Sequence, residues 1–275
     1  MEKMGCLAVV AFVFGVAAAS GHGFNARSYV QRGLVACYDG IENVGVNQHD
    51  SDSEIWKDLT GNGHDGEVNE NLLWNSNGWL NGAPGRPVTV ESTGLAAVTA
   101  TRRFTLEFAC VPERQTERES FFSQFGTPYA FMVEHNSSAR KNGCIRLYGD
   151  RALPDGNAMD LPTPTIFRSN EFATVAVTVT PQLQLVWKNG ELAAATVNKI
   201  AKLADGCKSV IGGEPSRPGQ AFCGVFHAFR VYDRVLTEDE IAVNAAIDAI
   251  RFKGASLSDF QLSDEAMRIL KSRQE

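Results

Sequence analysis

The residues best able to do chemistry in this chain are carboxylates and exposed-type aromatics. His49-Asp50-Ser51-Asp52-Ser53-Glu54 packs three acids into six positions, and Asp58 and Asp65 follow. Oxygen donors at such density suit Ca²⁺, a hard cation that takes six to eight oxygen ligands, so Asp50, Asp52 and Asp58 are candidate ligands. The spacing lacks the glycine and distal Glu of an EF-hand loop. A hydrated acidic loop explains the same composition, and Asp58 to Gly66 also reads as a structural turn in which Asp58 and Asn62 bond nearby backbone N–H groups. Sugar rings stack on flat side chains, which makes Trp74 and Trp79, separated by Asn75-Ser76-Asn77-Gly78, and Tyr129 after Pro128 the candidate ligand-binding residues. A core-edge role for Trp74 and Trp79 competes with that reading. Trp56 and Trp187 read as core.

Other chemistries find no pattern. The histidines at 22, 49, 64, 135 and 227 form no H-E-x-x-H pair, and no serine sits in a G-x-S-x-G elbow. Cys144 follows a turn without a neighbouring base and reads as structural. Glu113, Glu117 and Glu119 alternate with Arg114 and Arg118, which reads as a solvated face with local ion pairs. With 32 Asp+Glu against 26 Lys+Arg and a net charge of −6, the chain lacks the basic footprint of a nucleic-acid binder.

These residues must be positioned by strands. Period-2 patterns dominate from Gly33 to Asp233, broken by Gly, Pro and Asn. Phe104, Leu106, Phe108 and Cys110 alternate with Thr105, Glu107, Ala109 and Val111. Asn189-Gly190 between two strand-like runs signals a type I′ hairpin. The expected fold is mainly β, a two-sheet antiparallel β-sandwich (jelly roll) over 33–254. Helix is expected from a capping box at Thr237-Glu238-Asp239-Glu240 to about Phe252, stopped by Gly254. Residues 255–275 form an amphipathic helical tail expected to dock loosely or to serve a partner.

The chain opens like an export signal. Lys3 precedes an apolar run from Cys6 to Ala19, too short for a membrane span, and Ala17-Ala18-Ala19 fits a cleavage site. We expect a signal peptide at 1–19, a leader at 20–32, and a secreted, periplasmic or cell-surface location; an uncleaved anchor is the alternative. The mature chain has no membrane span. Cleavage would leave Cys37, Cys110, Cys144, Cys207 and Cys223, an odd number. Cys207 and Cys223 flank a turn-rich stretch and are the expected disulfide, which in the chain-entropy model would contribute about 3 kcal/mol. Cys110, in phase with the apolar face, reads as core.

Three segments carry a family resemblance. Gly33-Leu34-Val35-Ala36-Cys37-Tyr38-Asp39-Gly40 with Trp56 to Gly66 resembles the opening strand and D-x-(S/T)-G-N-G-x-x-G turn of the laminin-G-like domains in the concanavalin A-like lectin/glucanase superfamily, in the form common in secreted bacterial proteins. Leu185 to Leu192 is similar to that family's "lyvNGel" hairpin, and Gly224 to Ile241 to its terminal strand and "R-x-Y-x-R-x-L-(S/T)-x-x-E-I" helix start. The resemblance implies that the strands from Leu34 and Val225 neighbour one another. It also implies a noncatalytic recognition module whose ligand is carbohydrate or a cell-surface glycoconjugate. His227 stands where the family often has an acid that helps build a calcium site, which speaks against Ca²⁺ at that end. A glucanase of the superfamily would carry E-x-D-x-x-E, absent here. A polysaccharide-active enzyme with an unrecognised site and a protein-binding adhesion or structural module are the alternatives.

Overall fold

The computed structural model describes residues 23–68, 72–81, 90–92, 95–113, 118–125, 131–135, 145–148, 166–197, 208–214 and 218–274. In chain order the strands are β1 (Leu34–Asp39), β2 (Ile55–Trp56), β3 (Gly66–Val68), β4 (Leu72–Asn75), β5 (Gly78–Asn81), β6 (Val90–Ser92), β7 (Phe104–Pro112), β8 (Glu119–Phe125), β9 (Phe131–His135), β10 (Ile145–Tyr148), β11 (Ala173–Val179), β12 (Leu183–Lys188), β13 (Glu191–Val197), β14 (Lys208–Ile211) and β15 (Gly224–Tyr232). The helices are α1 (Ala96–Ala100), α2 (Glu238–Lys253) and α3 (Asp264–Lys271).

Two antiparallel sheets form a sandwich of jelly-roll type. The first runs β13-β12-β11-β7-β15-β5-β4, and β1 pairs with the other half of the β15 edge that β5 uses; the second runs β10-β9-β8-β14-β6-β3-β2. The expected neighbours meet: Tyr38 pairs with Phe229 and Cys37 with Arg230 in the β1–β15 ladder. Strand β15 is the spine of the first sheet, with β7 along its whole opposite edge. Alternation explains the layer between the sheets. Phe104, Leu106, Phe108 and Cys110 point inward and are at most 1% exposed. Phe108 stacks on Phe121 with ring centres 4.8 Å apart, and Phe122 on Phe229 at 5.4 Å.

The residues alternating with that apolar set, Thr105, Glu107 and Ala109, are just as buried. A one-sided sheet would leave them wet. They are dry because α2 lies across the outer face of the first sheet, a third layer. Thr237 caps its start: the Thr237 hydroxyl accepts from the Glu240 N–H, and the Glu240 carboxylate accepts from the Thr237 N–H. Gly254 ends it at φ 71°, with the Gly254 N–H donating to Ile250 and the Ala255 N–H to Ala249. Ile241 packs with Trp187 and Tyr232, and Ile247 with Tyr29 and Cys37. The Asn189-Gly190 turn has φ 50° and 88°, as type I′ requires. Gly190 is needed a second time, because a Cβ there would stand 3.1 Å from the Ala242 Cα.

The helical layer draws on both ends of the described chain. Ala26, Tyr29 and Val30, expected in a leader, are buried in the helical layer. The tail is no loose appendage: Ala266 and Leu270 of α3 are wholly buried against Val243, Ala246 and Ile247 of α2. An eight-residue helix is marginal alone, and this one owes its place to that contact. Both ends of the described chain belong to one core.

Candidate functional site

The open edge between the sheets, where β4 ends the first and β2 ends the second, brings together Trp74, Asp50 and Asp52 of the expected site residues. Trp56 is fully buried there, and Trp74 meets it edge-on at 5.8 Å. The Trp74 indole N–H donates to the Ser53 carbonyl at 2.9 Å, and His49 lies edge-on to the ring at 6.5 Å. Trp74 is thus half-buried and closes the sandwich edge, the core-edge role, while its N–H ties the hairpin to the acidic loop. Trp79 pairs with Trp74 across the β4–β5 ladder. The Trp79 side chain and Tyr129 lie outside the described residues.

The acidic loop is held at its root and free at its tip. Asn43, wholly buried, accepts from the Asp50 N–H at 2.9 Å and donates to the Asp50 carbonyl at 2.7 Å. Asp50 Oδ1 then accepts from the Asp52 N–H at 2.9 Å, a tight local turn. His49, Asp50, Asp52 and Glu54 are exposed. Asn75 and Ser76 of the adjoining hairpin turn are exposed as well. The rim therefore presents carboxylates, amides and a hydroxyl to solvent on an anchored backbone.

Asp58 is elsewhere and otherwise engaged. Its Oδ1 accepts from the N–H groups of Cys37 (3.1 Å) and Thr60 (3.0 Å), and its Oδ2 from that of His64 (3.2 Å). The Thr60 hydroxyl donates to the same carboxylate at 2.8 Å. This is the structural turn, with Asn62 Nδ2 donating to the Val35 carbonyl at 2.8 Å. Asp58 does not join Asp50 and Asp52. Among the described residues no group of three or more His, Cys, Asp or Glu side chains could hold a metal ion. His227 is 5% exposed, with Nδ1 2.8 Å from the Asn77 carbonyl and its ring stacked on Phe252 at 5.0 Å; burial pushes its pKa down.

The largest polar cluster is one the sequence reading missed. Arg230 of β15 is 1% exposed and donates through Nε to Glu107 at 3.0 Å and through both terminal nitrogens to Asp248 at 2.8 and 2.6 Å. Asn244 Nδ2 donates to Glu107 (2.8 Å) and to the Tyr232 hydroxyl (2.9 Å), and its Oδ1 accepts from the Val30 N–H (3.0 Å). The Tyr29 hydroxyl donates to Asp248 at 2.7 Å under the Arg230 guanidinium, which lies 4.0 Å from its ring centre. Arg251 extends the cluster to Asp39 and Glu42. Burial pushes the Glu107 carboxyl up to about 7, against the pull of Arg230. Two signals could have found the cluster: Glu107 faces Arg230 across the β7–β15 ladder, and Asn244 and Asp248 interrupt the buried face of α2 one turn apart. The family-like residues Arg230, Tyr232, Arg234, Thr237 and Glu240 all serve this docking of α2. Arg234 grips Glu240 through two bonds of 2.7 and 2.6 Å.

Other expectations are revised. Glu119 is wholly buried rather than solvated, and Arg118 pairs across the sheet with buried Glu134 at 2.6 Å. Burial desolvates these side chains, and the β8–β9 ladder brings Arg118 to Glu134. Glu117 and Arg114 lie outside the described residues. Among those described no disulfide is formed: Cys223 is a buried thiol that donates to Glu113 Oε2 at 3.2 Å, and Cys207, its expected partner, lies outside them. Cys110 is in the core as expected.

No curated protein matches the chain. Solved structures share its fold. Trypanosoma rangeli sialidase bound to 2,3-difluorosialic acid aligns at TM-score 0.56 and 17% identity, over 82% of this chain but 34% of the sialidase. The chain thus spans about a third of the sialidase length. Domain 4 of AbnA, a GH43 extracellular arabinanase from Geobacillus stearothermophilus, in complex with arabinotriose, aligns at TM-score 0.55 and 15% identity, over 78% of this chain and 100% of that domain. A mutant of HCR/D aligns at TM-score 0.57 and 11% identity, over 80% of this chain and 53% of its own. The laminin G family model described as "Concanavalin A-like lectin/glucanases superfamily" matches residues 84–242, more than half of the sequence. With the sandwich, the β1–β15 closure and the Arg230–Glu240 docking motif in place, the chain belongs to the concanavalin A-like lectin/glucanase superfamily.

Proposed function

We propose that this chain is an exported, noncatalytic module that recognises carbohydrate, on a free glycan or a cell-surface glycoconjugate, through the sandwich edge formed by His49–Glu54 and the β4–β5 turn. The observation that carries the reading is the alignment of 78% of this chain with the whole of an arabinanase domain bound to arabinotriose. The geometry of the edge supports it. Exposed carboxylates, amides and hydroxyls accept and donate the hydrogen bonds that sugar hydroxyls require, and the Asn43 clamp fixes the loop before any ligand arrives, which lowers the ordering cost of binding. The apolar leader pattern at 1–19 supports export.

The test is a glycan array followed by calorimetry, beginning with arabino-oligosaccharides. Binding that falls at least tenfold in Asp50→Ala/Asp52→Ala, with folding unchanged, supports the site. Binding indifferent to that change moves the site elsewhere, hydrolysis of a bound glycan overturns the noncatalytic assignment, and an array without hits favours a protein-binding module.

A further inference from the structure

A cleft remains that the proposed recognition edge does not use. It lies where the N-terminal turn meets the end of α3, with a volume of about 170 Å³ and a lining of Gly23, Asn25, Arg27, Ser28, Ser272 and Arg273. Among the described residues two cations line it and no carboxylate does. The Arg27 guanidinium makes no hydrogen bond or ion pair with any described residue, and Arg273 Nε is buried without a hydrogen-bond partner. Most other arginines of the helical layer are engaged: Arg230, Arg234, Arg251 and Arg268 each grip a carboxylate.

The walls of the cleft are fixed. Asn25 and Ser28 cap the 3₁₀ turn reciprocally, and the Ala26 N–H donates to Glu42 Oε2 at 2.7 Å. Across the cleft the Arg273 N–H donates to the Leu270 carbonyl at 3.0 Å. Ala26 and Leu270 share one apolar cluster, so the two arginines come from opposite ends of the sequence onto a common support. A guanidinium presents planar pairs of N–H donors that match the oxygens of phosphate, sulfate or carboxylate. A neutral sugar would leave both charges uncompensated.

We propose that this cleft binds a compact oxyanion, held between Arg27 and Arg273. Free inorganic anions and the acidic substituent of a glycan share that chemistry, and the test separates them. Calorimetry at low ionic strength would titrate the whole chain with inorganic sulfate, inorganic phosphate, glucuronate and, as a neutral control, glucose. We expect saturable binding of at least one anion, none of glucose, and at least a tenfold loss in Arg27→Gln and in Arg273→Gln. Arg27→Lys and Arg273→Lys keep the charge and should retain part of the affinity, which separates anion recognition from a fold defect. Asp50→Ala/Asp52→Ala should leave anion binding intact, so failure here is distinguishable from failure of the recognition edge. Response to glucuronate alone places the oxyanion on a sugar; response to sulfate or phosphate alone places it on the free ion. Absence of anion binding, or equal binding by the doubly substituted Arg27→Gln/Arg273→Gln chain, overturns the proposal.

Discussion

Carboxylates gather in two regions of this protein, and the two put the same chemistry to opposite uses. Under α2, Asp39, Glu42, Glu107 and Asp248 are at most 3% exposed, and each bonds Arg230 or Arg251. At the sandwich edge, Asp50, Asp52 and Glu54 are exposed, and only the backbone around them is fixed. Burial decides the difference. A buried charge must be paired, and its geometry is then committed to the fold. An exposed one costs little to keep and stays available to a ligand.

The most severe way to break the contrast is to remove the shared cation of the buried region. Arg230→Met leaves Glu107 and Asp248 facing one another without their partner, and losing one member of a buried pair typically costs about 3–5 kcal/mol. Urea denaturation should show the midpoint falling by that equivalent, with α2 and α3 exchanging amide hydrogens first. A change below about 1 kcal/mol would mean that apolar packing alone holds the helix.

The second effect is a pH dependence that the two regions do not share. Two arginines face four carboxylates in the buried cluster, and the raised pKa of Glu107 offsets part of the excess. Its folded value, about 7 against an ordinary 4.5, means that the folded state holds the proton more tightly. The contribution is therefore fully present below pH 4.5 and is lost as pH rises through about 7, on the order of 3 kcal/mol by linkage. Glu107→Gln keeps an oxygen acceptor for Arg230, cannot titrate, and should flatten that slope. His227, whose pKa burial lowers, works in the opposite direction: its contribution is lost as pH falls below the ordinary 6.5. In Glu107→Gln the residual slope should rise with pH, and in His227→Gln the downward slope should steepen.

The sheets were legible because their signal is local. Alternation at Phe104 to Val111 and the Asn189-Gly190 turn each name their structure within a few residues. The docking cluster was less legible because its members lie far apart in sequence: Tyr29 meets Asp248, and Glu107 meets Arg230 and Asn244. Seen singly, Asp248 is one acid on an amphipathic helix. The tail misled for a related reason: Leu262, Met267 and Leu270 make a narrow stripe, and what buries Leu270 is a second apolar face of α2. Trp74 fits two roles by sequence alone, and its contact with Trp56 and its bond to Ser53 become visible only in the folded chain.

A smaller effect tests how α2 is held at its edge rather than its centre. Thr237→Ala removes the acceptor for the Glu240 N–H and should cost about 1 kcal/mol, typical of a lost N-cap. Thr237→Asp should restore most of it, because an acid at that position accepts the same bond and favours the positive end of the helix dipole. Thermal melts of the three proteins would check the order.

The smallest stability effect belongs to the exposed carboxylates, and it is the most informative about function. Asp50→Ala/Asp52→Ala removes two solvated charges and one local bond from Asp50 to the Asp52 N–H, while the Asn43 clamp acts on the Asp50 backbone and survives. Stability should change by no more than about 0.5 kcal/mol, the range of surface substitutions. If glycan affinity nonetheless falls tenfold, about 1.4 kcal/mol, the loss comes from binding, because the fold has not moved. A large loss of stability instead would show that the acidic loop, like the cluster under α2, is committed to the fold, and the contrast between the two regions would vanish.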